Sequence, residues 1–132
     1  MSNYSITFLG AAGTVTGSKF LISFGEEHIL VEAGLFQGPK EYRLKNWESF
    51  PIDPKKISHV IVSHAHLDHC GYLPRLVKEG FNGKILLTRY TEKLAKLFLK
   101  IQRRSKSKMR AMLKKKVTQN IKNHYRYMTA KM

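Results

Sequence analysis

Hydrophobic positions fall along this chain in short runs separated by glycine, proline and polar residues. Ile6–Leu9 is a brief β-rich run ended by Gly10, and Lys19–Phe24 predicts a second strand. Gly25-Glu26-Glu27 reads as a turn and His28–Val31 as the return strand of a hairpin. Ile57–Ser63 predicts the clearest buried strand, because the unbroken apolar centre Val60-Ile61-Val62 suits a strand covered on both faces. Pro74 suits the first turn of a helix with Leu73, Leu76 and Val77 on its apolar face, Lys78 in its last turn and Gly80 closing it. Lys84–Thr88 predicts another strand. Thr91 is placed to cap a further helix with Leu94, Leu97 and Phe98 in one stripe.

Between these elements, Gly10–Gly17 is a loop of small residues, where backbone can approach something closely. Residues 40–56 form a polar connection, with Trp47 and Phe50 as expected anchors and Pro51 and Pro54 as stops. Strands followed by a β-α-β-α succession predict an α/β layered sheet with its site at the strand carboxyl ends.

Composition divides the chain in two. Over 132 residues the formal net charge is +15, yet all nine acidic residues precede position 100. Residues 1–99 hold twelve Lys and Arg against those nine acids, a balance of +3; residues 100–132 hold twelve and no acid, a balance of +12. That charge favours an anionic partner such as nucleic acid. The single Cys70 excludes an intramolecular disulfide. With no secretory pattern at the N-terminus and no apolar stretch near the ~20 residues of a membrane span, the expected setting is cytoplasmic, with no membrane partner.

The chemistry concentrates in one hexad, His64-Ala65-His66-Leu67-Asp68-His69, directly after the apolar strand. Imidazole and carboxylate form the usual nitrogen and oxygen ligand set for zinc. The spacing suggests two ions, with His64 and His66 at one and Asp68 and His69 at the other. Four donors are too few for two complete sites, so further ligands must come from elsewhere. A chance polar loop is the plain alternative for the hexad. His28 and His59 are read as structural, and Cys70 as a small spacer. The Gly10–Gly17 spacing fits no nucleotide-binding fingerprint.

The hexad resembles the H-x-H-x-D-H signature of the metallo-β-lactamase fold. Together with Phe8–Ser18, Ile29–Gly38 and the rest of Val62–Pro74, it is similar to the β-CASP branch, which includes RNase J and the endonuclease of pre-mRNA 3′-end cleavage. The similarity covers about residues 4–99. It implies the amino-terminal part of an αββα sandwich and a zinc-dependent ribonuclease that cleaves RNA phosphodiester bonds with a metal-bound hydroxide. By the same resemblance His64, His66, Asp68 and His69 are metal ligands for two zinc ions, and Asp68 is catalytic, placing the nucleophilic water. Thr14–Ser18 and Leu35–Gly38 would line the floor and rim of the site. The chain departs from the family pattern at Glu32, where an Asp is usual, and in lacking the later ligand motifs; its one later histidine, His124, sits in a different context. The expected protein is therefore inactive alone. The alternatives are a noncatalytic basic RNA-binding fragment and a nonfunctional truncation product.

The resemblance ends near Leu99-Lys100, which predicts two parts: 1–99, the amino-terminal portion of the metallo-β-lactamase domain, and 100–132, a basic, partly helical tail foreign to the family. Back-translation of Val117–Tyr127 one nucleotide out of frame permits a family-like string, so the tail is read as a frameshift product. Its other reading is an RNA-binding arm, with Tyr125 and Tyr127 stacking on bases.

Overall fold

The computed structural model describes residues 4–102. Five strands form one sheet in the order of the chain: β1 (Tyr4–Gly10), β2 (Lys19–Phe24), β3 (Glu27–Val31), β4 (Ile57–Ile61) and β5 (Lys84–Leu86). The first three pair antiparallel, and β3, β4 and β5 pair parallel. Gly25 turns the hairpin between β2 and β3 at φ +56°, a conformation that costs glycine nothing. Four helices complete the described region: α1 (Lys40–Lys45), α2 (Leu67–Cys70), α3 (Leu73–Lys78) and α4 (Arg89–Gln102). Among the described residues no helix is long and apolar enough to cross a membrane.

Strand register decides which residues face the helices. Thr7, Leu21, Leu30, Val60 and Ile85 are successive cross-strand partners, and the last four are buried with Leu73, Leu76, Val77, Phe81 and Ala95. Removing each such aliphatic side chain from water contributes about 1.5–3 kcal/mol. The neighbouring row on the opposite face is Phe8, Phe20, Val31, Ile61 and Leu86, apolar throughout. Nothing among the described residues covers it: Phe8 is 63% exposed and Ile61 38%. The expectation that Val60-Ile61-Val62 is covered on both faces is thus corrected at Ile61. An apolar run does not reveal that only one face has a layer on it.

Two other expectations shift. Helix α4 begins at Arg89, where Thr88 Oγ1 accepts from the Thr91 N–H at 3.2 Å, so Thr88 takes the capping role expected of Thr91. Its inward positions are Thr91 and Ala95, with Phe98 packed on the core, whereas Leu94 and Leu97 are half exposed. The polar connection contains α1 and a 3-10 turn at Pro54–Lys56. Phe50 packs on the core as expected, its ring 5.8 Å from that of Tyr72. Trp47 is exposed and lies instead against the Arg75 guanidinium, 5.5 Å from its ring centroid.

Candidate metal centre

The parallel strands β3 and β4 end side by side, and their extensions build the site. Glu32 N–H donates to Ile61 O at 2.8 Å, so the residue after β3 stays bonded to the end of β4. The chain then runs along the hexad. Ala33 N–H donates to His69 O and Leu35 N–H to Leu67 O, while Ser18 N–H donates to Asp68 O at 3.0 Å. Gly34 N–H closes the bundle on Ser18 O. A Cβ at Gly34 would lie 1.6 Å from Asp68 O, so glycine is the residue this packing admits. The hexad is thus held by main chain, with its side chains left free for chemistry. Its second half is helical: His66 precedes α2, and His66 O accepts from the N–H groups of His69 and Cys70.

The hexad side chains lie near one another, though unequally. The His64 ring lies 4.0 Å from the His69 ring and 4.7 Å from the His66 ring, centroid to centroid. His69 stands between two carboxylates, its Nδ1 3.4 Å from Glu32 Oε2 and its Nε2 3.5 Å from Asp68 Oδ2. His64 Nδ1 meets Ser63 Oγ at 2.8 Å. His64 thus has its Nδ1 side taken by Ser63, whereas both nitrogens of His69 face a carboxylate. Glu32 is 6% exposed and adopts φ +63°, an uncommon conformation for this residue type. Its Oε1 accepts from the Ser63 N–H at 3.1 Å. Its Oε2 and His69 Nδ1 are both buried without a hydrogen bond of good geometry, although they face each other within ion-pair distance.

The donor chemistry of the hexad fits a metal ion in kind. The geometry stops short of a finished shell: among the described residues no group of three or more His, Cys, Asp or Glu side chains is arranged to hold an ion. His28 and His59, read as structural, each pair with a neighbouring serine. Cys70 is fully buried and its thiol donates to Ala65 O at 3.2 Å. Burial first, then Glu32 and Asp68, raises its pKa to about 11, so it stays a thiol at neutral pH. The Gly10–Gly17 loop touches the rim, with Thr16 Oγ1 exchanging hydrogen bonds with the backbone of Gln37.

Sequence reasoning passed over three contributors. Ser63, which touches His64, carried no signal beyond its place before the hexad. Thr91 Oγ1 reaches Ser63 O at 3.4 Å and ties α4 to the site. Lys19 is buried beside Ser18, and the one available signal was its alternation with Leu21 on the inner face of β2. Tyr125, Tyr127, His124 and the tail from 103 onward lie outside the described residues.

The family profile described as the metallo-beta-lactamase superfamily matches residues 12–122. The chain is 44% identical over 90 residues to a ribonuclease of Thermus thermophilus, covering 68% of this chain and 20% of that protein. It is 30% identical over 95 residues to the transcription termination factor FttA of Methanocaldococcus jannaschii, covering 72% of this chain and 15% of that one. With Integrator complex subunit 11 of Danio rerio it shares 32% identity over 104 residues, covering 75% and 17%. The chain thus matches a fifth or less of the length of each of these relatives.

Proposed function

This chain belongs to the metallo-beta-lactamase superfamily, and from that membership we propose that it carries part of the metal site of a hydrolase acting on RNA phosphodiester bonds, in the manner of the β-CASP branch. The observation that supports this most is the clustering of His64, His66, Asp68 and His69 on a main-chain cradle, with Glu32 behind His69. The relatives named as a ribonuclease and a termination factor make RNA the natural substrate class to test.

The four hexad side chains would hold the metal, with zinc the ion their chemistry favours. When bound, such an ion supplies the Lewis acidity that makes water nucleophilic at neutral pH. The protein's own share is positional. Ser63 pairs with Nδ1 of His64 and Glu32 faces Nδ1 of His69, contacts that would orient the two rings. Asp68 is the carboxylate in reach to accept a proton from an attacking water. Four donors do not finish two ligand shells, so the described residues alone are assigned a partial site and no turnover. The basic tail, read as a frameshift product, falls outside this assignment, and sequencing the gene tests it.

A second reading draws on the +15 charge and on the unfinished ligand group: a noncatalytic, RNA-retaining protein. Metal analysis of the purified chain combined with an RNA cleavage assay separates the two. Stoichiometric zinc that is lost in His66→Ala supports the metal site, and turnover lost with it would extend the assignment to a complete enzyme. RNA retained at low salt without bound zinc would overturn the hydrolase reading in favour of the second.

A further inference from the structure

A cavity of about 320 Å³ opens between the ends of β1 and β2 and the segment that follows α1. That is the lower end of the range of about 300–1,000 Å³ typical of small-molecule sites. Its walls include Phe8, Phe36, Phe50 and Tyr72, and its cations are Lys19 and Lys45. None of this is needed to explain the hexad.

The cavity has the marks of a built site. Phe36 is held by both of its backbone groups: its N–H donates to Asn46 Oδ1 and its carbonyl accepts from Asn46 Nδ2, each at 2.8 Å. Gly17 lies so close to the Phe36 ring that a Cβ there would come within 2.5 Å of it. The outer wall is fixed through Arg75, which donates to the carbonyls of Trp47 and Glu48 and pairs with Glu79 on the first turn after α3.

Lys19 is the unusual member. It is only 4% exposed, yet no carboxylate among the described residues pairs with it. Its ammonium offers three donors and makes one hydrogen bond, to Gly17 O at 3.3 Å. The rest of its surroundings are ring faces, Phe36 at 4.3 Å and Tyr72 at 4.9 Å from Nζ. A buried cation with donors to spare and no counter-charge is costly unless an anion completes it. Lys45 also lies over the Phe36 ring, so two positive charges line the cavity; Glu48, at the exposed rim, is the one acid among the lining residues. Burial lowers the Lys19 pKa to about 8, and it is still mostly protonated near pH 7.

We infer that this cavity binds a single nucleotide-sized phosphate ester, its phosphate on Lys19 and Lys45 and its flat base against Phe50 and Tyr72. The room exceeds what a bare phosphate needs, and aromatic walls with cations are how proteins take an unpaired base without reading its sequence. The same chemistry is offered by a free mononucleotide and by one unit of an RNA strand. The identification of the flat body as a base rests on the RNA reading above; the anion requirement of Lys19 does not.

Titration calorimetry in the presence of EDTA tests this without turnover, so it is read apart from the hydrolase proposal. The probes are AMP, UMP, inorganic phosphate and a short single-stranded oligouridylate. Lys19→Met and Lys45→Met are compared with Lys93→Met, an equal loss of charge on exposed α4. The expected result is mononucleotide binding that saturates at one site, weakens at least tenfold in Lys19→Met and weakens severalfold in Lys45→Met, with no change in Lys93→Met. Binding by the oligouridylate alone, with the same variant pattern, identifies a strand as the source; binding by AMP or UMP identifies the free nucleotide. Equal weakening in all three variants would mean unspecific charge attraction and overturn the site, as would the absence of saturable binding by any probe. Phosphate binding as tightly as AMP would remove the base from the assignment. Urea unfolding of each variant shows whether a loss of binding is a loss of fold.

Discussion

Replacing Gly34 by alanine probes the main-chain cradle at its tightest point. The new methyl carbon would sit 1.6 Å from Asp68 O, 2.3 Å from Asp68 C and 2.9 Å from Ser18 N, all inside the 3.0 Å that real Cβ atoms respect. These are backbone atoms, so no side chain can swing aside. Either the 32–35 segment or the hexad must move, and four hydrogen bonds depend on their spacing: Ser18 to Asp68, Gly34 to Ser18, Ala33 to His69 and Leu35 to Leu67. Leaving one or two of these buried groups unpaired costs about 1–3 kcal/mol each. Overpacking adds about 1–3 kcal/mol. The sum, about 2–9 kcal/mol, is a large part of the ~5–15 kcal/mol that holds a domain of this size together. Gly13→Ala is the control. Gly13 also has positive φ, at +70°, but open space around it, so alanine there costs only the left-handed penalty of about 1–2 kcal/mol. Urea unfolding followed by far-ultraviolet circular dichroism measures both variants, and zinc titration follows the site. A Gly34→Ala protein that unfolds at the same urea midpoint as Gly13→Ala would refute the claim that close backbone contact positions the hexad.

Other consequences can be measured. Because burial lowers the Lys19 pKa from 10.5 to about 8, the charged form is disfavoured in the fold, and the cost is fully present below about pH 8 and fades as pH rises toward 10.5. That shift corresponds to about 3 kcal/mol, offset by the cation–π contacts at roughly 1–2 kcal/mol, so ligand-free Lys19→Met should be more stable near neutrality by roughly 1–2 kcal/mol. In urea titrations the difference should shrink at about pH 10; a difference that grows would contradict the burial argument. Glu32→Gln removes the charge facing His69 Nδ1 and should weaken zinc binding about 10–100-fold, measured by competition with a chromophoric chelator; an unchanged affinity would deny Glu32 its orienting role. Arg75→Ala frees the 47–48 segment and should alter the emission of Trp47, the single tryptophan, while costing about 1 kcal/mol; identical spectra would mean that the guanidinium does not hold the ring.

Much of this architecture was legible from residue order, and the exceptions have physical causes. The β2–β3 hairpin follows from alternation around Gly25, and β4 from its apolar run. The hexad stood out as the candidate site because donor side chains so crowded have few structural uses. Ile61 could not be assigned a face, since burial depends on whether a layer covers it and both cases select apolar residues. Thr88 and Thr91 compete for one cap with the same side chain, and the contact of Thr91 with Ser63 O, a tertiary matter, decides it. Helix α1 has no buried residue and so left no apolar period to read. Lys19 was hidden by its type, because lysine at a strand end ordinarily marks solvent. The resemblance drew attention to Glu32, but its left-handed backbone and its place behind His69 came only from the structure.

The uncovered row of Phe8, Phe20, Val31, Ile61 and Leu86 gives ionic strength two opposed effects on this protein. At low salt the +15 charge keeps copies apart and draws polyanions in. Raising salt screens both, since the screening length falls from about 10 Å at 0.1 M to about 3 Å at 1 M. Sulfate or phosphate salts also strengthen apolar burial. Loss of polyanion and gain of sheet-to-sheet adhesion then occur over the same range of concentration. A binding isotherm taken across that range measures colloidal state as well as affinity unless light scattering is recorded beside it.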